Sequence, residues 1–212
     1  MLNEQMRPVF FTQNGNVSGT TRILCAWIEV LLEQGASPAL VCSWEGELLE
    51  WARELGIPCL SLGNKDVSQI SNTSLLLAVS KVVSWCFMNR LKPTHMHSNE
   101  HGMYRICAMA SLPFKAYRSV HVRYLINQNY SRWAFGGRLN PDGLAWTSQF
   151  QMDACGNSIC GIVESTRQHL IPLGYYPDRF QSAEETRAAV RNAWRIKDNE
   201  FVVGVTANLA PR

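Results

Sequence analysis

The sequence lacks the features that mark membrane, secreted and disulfide-bonded proteins. No apolar run approaches the ~20 residues that a membrane-spanning helix needs. The first residues, MLNEQMRP, do not have the pattern of a signal peptide. The seven cysteines include no C-x-x-C pair, and most of them lie inside apolar stretches. We therefore expect a cytoplasmic protein whose thiols are free and mostly buried.

Charge is also scarce, because only 17% of the residues are Asp, Glu, Lys or Arg. The formal net charge of +3 is too small to indicate a nucleic-acid-binding protein. It still allows phosphorylated ligands or contact with an anionic membrane surface. Hydrophobic residues make up 46% of the chain, which is enough to bury a full core.

Apolar runs alternate with helical patterns along the whole chain, which predicts a Rossmann-like α/β fold with helices on both faces of a parallel sheet. The helix predicted at 73–91 is apolar on almost every side, so we expect it to be buried. Residues 122–143 interrupt the alternation and are predicted to form a long loop rich in Arg and aromatic residues. The predicted strands are 8–13, 39–43, 57–62, 94–97, 114–121, 144–148, 169–173 and 201–206, and the other helices are 20–34, 45–55, 102–112, 149–155 and 182–194.

Ligands of parallel sheets bind outside the carboxyl ends of the strands, which selects the 14–20 loop, the 97–102 segment and the residues from His121 onward. Gly15 and Gly19 in the first loop match neither the dinucleotide fingerprint nor the P-loop. Their spacing leaves two interpretations equally open, namely a turn capped by Ser18 and a phosphate-binding loop.

Histidines accumulate at the same edge of the predicted sheet. His95, His97 and His101 suggest a metal site, but apart from Glu100 no further ligand has a convincing spacing. Polar residues that line a cleft explain them better. His121 ends an otherwise apolar strand just before the Arg-rich loop, where an imidazole can orient or deprotonate a hydroxyl group. A histidine that only hydrogen-bonds at the strand end explains its position almost as well.

The tail of the chain carries the first resemblance to a known family. Residues 170–180, LIPLGYYPDRF, resemble the interdomain linker of retaining GT-B glycosyltransferases of the family 4 type, and FVVGVTANLAPR resembles the start of their second domain. Five shorter matches lie earlier in the chain, in the same order as in that family. They are SGTTR at 18–22, GIP at 56–58, KPTHMH at 92–97, SVH at 119–121 and WTS at 146–148.

The resemblance implies that residues 1–173 form the N-terminal, acceptor-binding domain and residues 174–212 the beginning of a donor-binding domain. It implies transfer of a sugar from a nucleotide-sugar to an acceptor hydroxyl, with retention and without a metal or other cofactor. His121 would be the catalytic residue. The donor- and acceptor-binding residues would be Gly15, Ser18, Gly19, Thr20, Asn99 and Arg123.

Several positions depart from the family pattern. Ser18 replaces the first glycine of the loop, Leu173 replaces the linker asparagine, and Ala207-Asn208-Leu209 stands where the family has Gly-Arg-Leu. The glutamate pair that holds the donor would lie beyond Arg212, so we expect this chain alone to be inactive. Its expected partners are the nucleotide-sugar, a glycan or lipid-linked acceptor, the missing domain and a membrane surface. The alternative is a non-catalytic module that recruits an acceptor or pairs with a separate donor-domain chain.

Overall fold

The first strand shows why this chain forms a sheet that is covered on both faces. Every residue of PVFFT (8–12) is buried, as parallel strands between two helix layers require. The computed structural model describes residues 6–63, 71–123, 128–135, 137–159, 162–171, 183–197 and 199–200. The chain divides into two units, Met1–Leu173 and Gly174–Arg212.

The first unit carries seven parallel strands in the order β3-β2-β1-β4-β5-β6-β7. The chain therefore runs outward from β1 to β3 and then returns to β4 on the other side of β1. The crevice between β1 and β4 is the switch point where parallel sheets hold their ligands. The strands are β1 (Pro8–Thr12), β2 (Ala39–Cys42), β3 (Cys59–Ser61), β4 (His95–Ser98), β5 (Tyr117–Val122), β6 (Gly143–Trp146) and β7 (Gln168–Leu170).

Helices connect these strands on both faces of the sheet. Phe10 and Leu40 pack under the first two helices on one face, while Phe11 and Met96 pack against the third and fourth on the other. The Rossmann-like α/β fold expected from the sequence is thereby confirmed. The helices are α1 (Gly19–Glu33), α2 (Glu47–Glu54), α3 (Asn72–Met88), α4 (Tyr104–Ser111), α5 (Gln128–Phe135) and α6 (Gln149–Ile159), with α7 (Ala183–Ala193) in the second unit.

Two predictions about the helices are wrong. The segment 122–143 contains α5, and Ala134 and Phe135 of this helix are buried in a cluster with Trp146. α3 is buried along one side only, because Leu77 and Met88 are exposed. The strand expected at 201–206 lies outside the described residues.

Two expectations from the sequence concern free thiols and membrane-spanning helices. Six of the seven cysteines lie in the described part of the chain, and all six are free thiols. Cys160 lies outside it. No helix among the described residues is long and apolar enough to cross a membrane.

Candidate functional site

The carboxyl ends of β1, β4 and β5 lie side by side because these strands are neighbours in register. Phe10 pairs with His97, and His97 pairs with Ser119. The residues at the ends of these strands and just beyond them therefore meet at one edge. They include three of the residue positions that the sequence predicts, Asn99, His121 and Arg123.

Glu100 is the centre of a hydrogen-bond network at this edge. Its side chain is only 5% exposed. Its Oε1 accepts hydrogen bonds from Thr12 Oγ1 at 3.0 Å and from Asn99 Nδ2 at 2.9 Å. Its Oε2 accepts one from the backbone N–H of Gln13 at 3.1 Å. One carboxylate thus ties the end of β1 to the segment that follows β4.

Burial raises the pKa of Glu100 above its ordinary value, since the charged form loses its hydration. The hydrogen bonds from Gln13, Thr12 and Asn99 and the charge of Arg123 partly offset this rise. A buried carboxylate with a perturbed pKa at a ligand-binding edge is typical of functional sites.

Arg123 follows β5 and reaches back to the segment after β4. Its Nε donates to the backbone oxygen of Asn99 at 2.8 Å, and its Nη2 donates to Asn99 Oδ1 at 2.6 Å. Asn99 is fully buried and therefore connects Arg123 to Glu100. The predicted residues Asn99 and Arg123 are positioned by each other rather than by separate loops.

His121 is fully buried at the end of β5. The indole ring of Trp27 stacks on its imidazole, with 5.4 Å between ring centroids and 5° between planes. Within the described part of the chain, neither ring nitrogen of His121 has a hydrogen-bond partner. Such unpaired buried groups are rare in folded proteins.

The imidazole of His121 stays neutral near pH 7. Burial lowers its pKa to about 3, and the charge of Arg123 and repulsion between the protonated forms of His121 and His97 act in the same direction. His97 lies with its ring centroid 6.4 Å away and hydrogen-bonds Ser119 Oγ through Nδ1 at 2.8 Å. Burial and the charge of Arg123 also lower the pKa of His97 to about 3. Both rings therefore act as neutral hydrogen-bonding groups.

The first loop forms the front of a cleft of about 510 Å³. Three of the predicted residues, Ser18, Gly19 and Thr20, line it together with Glu100. A Cβ added to Gly19 would have no neighbour within 4 Å, so packing does not require a glycine there. The remaining lining residues are Gln13, Asn14 and Trp44.

Gly15 has a different role from Gly19. A Cβ at Gly15 would lie 2.5 Å from the backbone oxygen of Trp44, and Gly15 itself accepts a hydrogen bond from the N–H of Leu48. Gly15 therefore holds the first loop against the turn before α2. Ser18 starts α1, and its N–H donates to Thr21 Oγ1 at 2.6 Å.

The histidines considered as metal ligands are not brought together. Among the described residues, no group of three or more His, Cys, Asp or Glu side chains is arranged to hold a metal ion. His95 instead contacts Thr94 Oγ1 at 3.0 Å. Burial lowers the pKa of His101 to about 4.

Sequence reasoning missed the central role of Glu100 and the contribution of Trp27 and Trp44. One signal for Glu100 was present, since it is the only carboxylate between Val67 and Pro141. The tryptophans had no such signal, because their partners are distant in sequence.

Comparisons with known proteins support the fold and leave the family open. No known family profile matches the sequence, and no curated protein does. Solved structures do match. The Anabaena protein Alr3699/HepE in complex with UDP aligns with a TM-score of 0.69 at 16% identity, over 90% of this chain and 50% of that chain. The same protein in complex with UDP-glucose gives a TM-score of 0.67.

Two further glycosyltransferase structures match. A glycosyltransferase from Rickettsia africae aligns with a TM-score of 0.68 at 11% identity, over 92% of this chain and 51% of that chain. MurG from Acinetobacter baumannii aligns with a TM-score of 0.55 at 11% identity, over 81% of this chain and 46% of that chain. The chain thus has the Rossmann-like fold found in GT-B glycosyltransferases and spans about half the length of these structures.

Proposed function

We propose that this chain is the acceptor-side domain of a glycosyltransferase that uses a nucleotide-sugar donor. One observation carries the proposal: the first loop and Glu100 line one cleft at the switch point of the sheet, and Asn99 connects Glu100 to Arg123. That edge belongs to a fold whose structural neighbours include a protein in complex with UDP-glucose. We assign residues 174–212 to the beginning of a donor-binding domain.

The polar lining of the cleft suits hydroxyl groups. Asn14 and Gln13 offer amides, Ser18 and Thr20 offer hydroxyls, and Glu100 offers a carboxylate. Trp44 adds an aromatic surface on which the apolar face of a sugar ring can pack. The lining is therefore suited to a sugar.

A diphosphate fits this cleft less well than a sugar does. Glu100 is the only ionisable side chain among the residues that line the cleft, so the cleft offers phosphate no cation and, when Glu100 is ionised, a repulsive charge. The guanidinium of Arg123 does not line the cleft and is bound to Asn99. We infer that Gly19 approaches the transferred sugar or the acceptor, and that the donor diphosphate is held by the second domain.

In the proposed reaction the bond between the anomeric carbon and the diphosphate breaks, and a bond from that carbon to the acceptor oxygen forms. The acceptor hydroxyl gives up its proton to the departing diphosphate. His121 is not among the residues that line the cleft. We assign to its neutral imidazole, whose ring nitrogens have no hydrogen-bond partner among the described residues, the role of orienting a sugar hydroxyl that reaches it. Retention of the anomeric configuration and independence from metal ions complete the proposal.

A transfer assay tests this function. The complete gene product is incubated with a panel of labelled nucleotide-sugars and saccharide or lipid-linked acceptors, and labelled product is measured. We expect transfer from one donor, and a His121→Leu variant should lose most of this activity while it remains folded. Absence of transfer with every donor, although the acceptors bind, would favour the non-catalytic binding module.

A further inference from the structure

The end of α3 and the turn after α4 expose a group of large apolar side chains. Met88 is 76% exposed, Phe87 61% and Leu112 54%. The ring of Phe87 lies 5.1 Å from that of Phe114, which joins the helix end to the turn. We call Phe87, Met88, Leu112 and Phe114 the apolar patch. Exposed apolar surface of this kind marks an interaction site more often than chance.

Cations surround the apolar patch. Phe87 and Phe114 border a groove of about 520 Å³, and the same groove is lined by Arg7, Arg90 and Lys92. No carboxylate is among the described residues that line it. Lys115 is exposed and directly follows Phe114. The patch therefore combines exposed apolar side chains with cations that no carboxylate among the described lining residues neutralises.

The surrounding sequence has the same bias. Residues 67–141 contain a single carboxylate, Glu100, which is buried at the opposite edge of the sheet from this groove. The same residues contain nine cations. They are Lys81, Arg90, Lys92, Arg105, Lys115, Arg118, Arg123, Arg132 and Arg138.

Two of the cations at the patch occupy backbone positions that favour glycine. α1 and α2 are followed by Gly35 and Gly56 with φ of 81° and 70°. The equivalent position after α3 is Arg90 with φ of 54°, and Lys115 has φ of 53°. A residue with a side chain is less favourable than glycine in this conformation, so Arg90 and Lys115 occupy positions that suit glycine better. Arg195 in the second unit is the third residue of this kind among those described.

We propose that the apolar patch and its cations dock this domain onto an anionic lipid membrane. Arg90, Lys92 and Lys115 would contact lipid phosphates, while Met88 and Leu112 enter the interfacial region. A second copy of the chain fits this surface poorly, because a two-fold contact would bring the same cations together. The proposal does not depend on the transferase activity.

Vesicle flotation of the 212-residue chain tests the proposal. We expect the chain to float with vesicles that mix phosphatidylglycerol with phosphatidylcholine and not with phosphatidylcholine alone. Binding should weaken as salt is added, because salt screens the attraction between the cations and the lipid phosphates.

A pair of matched variants assigns the binding to the patch. Arg90→Gly with Lys115→Gly removes two charges at positions that suit glycine, so the protein should fold and bind anionic vesicles about tenfold or more weakly. Arg53→Gln with Arg167→Gln removes the same charge from two exposed ion pairs elsewhere and should leave binding unchanged. Equal binding by both variants would overturn the proposal.

The apolar side chains need their own test. Met88→Ser removes an exposed group without a role in the core and should weaken vesicle binding at constant charge. Unchanged binding would show that positive charge alone attracts the vesicles, which contradicts the proposal. Sedimentation that shows a dimer which Met88→Ser dissociates would assign the patch to a second copy, and would overturn it as well.

Discussion

Glu100 and His121 illustrate, at the scale of single residues, how polar groups become buried at the carboxyl edge. Glu100 accepts three hydrogen bonds, whereas the ring nitrogens of His121 have no hydrogen-bond partner among the described residues. Both arrangements are unfavourable for stability alone, since burial of a charge or of an unpaired nitrogen costs free energy. Glu100 lines the cleft, so ligand binding explains its burial better than folding does.

Replacement of Glu100 by Ala should destabilise the protein. The donors of Thr12, Asn99 and Gln13 would lose their acceptor in a buried position. We expect the free energy of unfolding to fall by about 2–4 kcal/mol in urea denaturation. Glu100→Gln keeps one acceptor oxygen and should cost less. A loss below about 0.5 kcal/mol for the Ala variant would contradict the assigned network.

The depressed pKa of His121 predicts a pH dependence of stability. The unfolded chain protonates this residue near its ordinary pKa of 6.5, while the folded chain keeps it neutral until about pH 3. The stabilising contribution is therefore complete above pH 6.5 and is lost as the pH falls toward 3. Between pH 7 and pH 5 we expect a loss of about 1–2 kcal/mol.

His121→Leu provides the control for this pH effect. The variant has no group to titrate at this position, so its unfolding free energy should vary less between pH 7 and pH 5. Part of the dependence should remain, because the pKa of His97 is lowered to about 3 as well. Identical pH profiles for the two proteins would show that His121 is not buried in its neutral form.

At the scale of elements, the first loop contains two glycines with opposite requirements. Gly15→Ala places a Cβ against the backbone of Trp44 and should lower the free energy of unfolding by about 1–3 kcal/mol. Gly19→Ala places its Cβ in open space at the start of α1 and should leave stability nearly unchanged. Thermal unfolding of both variants checks this difference, and equal shifts would contradict it.

The strands show how far the sequence predicts the fold. Apolar runs such as VFF at 9–11 and the alternation of strands with helices were enough to predict the sheet and all seven of its strands. The prediction works here because the local pattern determines which residues are buried. Strand ends differ from the prediction by up to three residues, and α6 ends four residues later than predicted. The rule for parallel sheets selects residues at the carboxyl ends of the strands, so the location of Asn99, His121 and Arg123 at this edge could be anticipated, while their roles stay predictions.

Two helices show what the sequence left out. α5 was missed because Arg132 and Trp133 obscure its pattern, and its formation depends on packing of Phe135 against Trp146 and Tyr104. α3 was predicted to be buried on all sides because apolar residues occur around its whole circumference. The fold covers only one side of it, since its apolar side chains outnumber the positions that the sheet can cover. Tertiary packing decides both cases, and no local pattern reports it.

At the scale of the whole first unit, two surfaces occupy opposite edges of one sheet. The cleft of Glu100 lies beyond the carboxyl end of β4, and the groove beside the apolar patch lies before its amino end at Thr94. Docking of the patch on a membrane would therefore leave the mouth of the cleft accessible. Binding to vesicles and binding of sugars should be independent of each other.

The donor diphosphate provides a second prediction at this scale. Since the cleft offers a carboxylate and no free cation among its lining residues, calorimetry should show little binding of a nucleotide-sugar to the 212-residue chain. Tight binding would mean that the first loop is a phosphate site by itself. In that case the cleft would hold the diphosphate, and the sugar that we assign to it would have to bind elsewhere.

The most direct test compares the rate of sugar transfer between two variants of the complete gene product, one of which has an added side chain in the cleft. Gly19→Leu projects a side chain into the cleft, and Gly156→Leu places the same side chain in open space on α6. We predict that kcat/KM falls about tenfold or more in the first variant and stays near the wild-type value in the second, with both proteins folded. Equal kcat/KM values in the two variants would contradict the assignment of this cleft as the site of transfer.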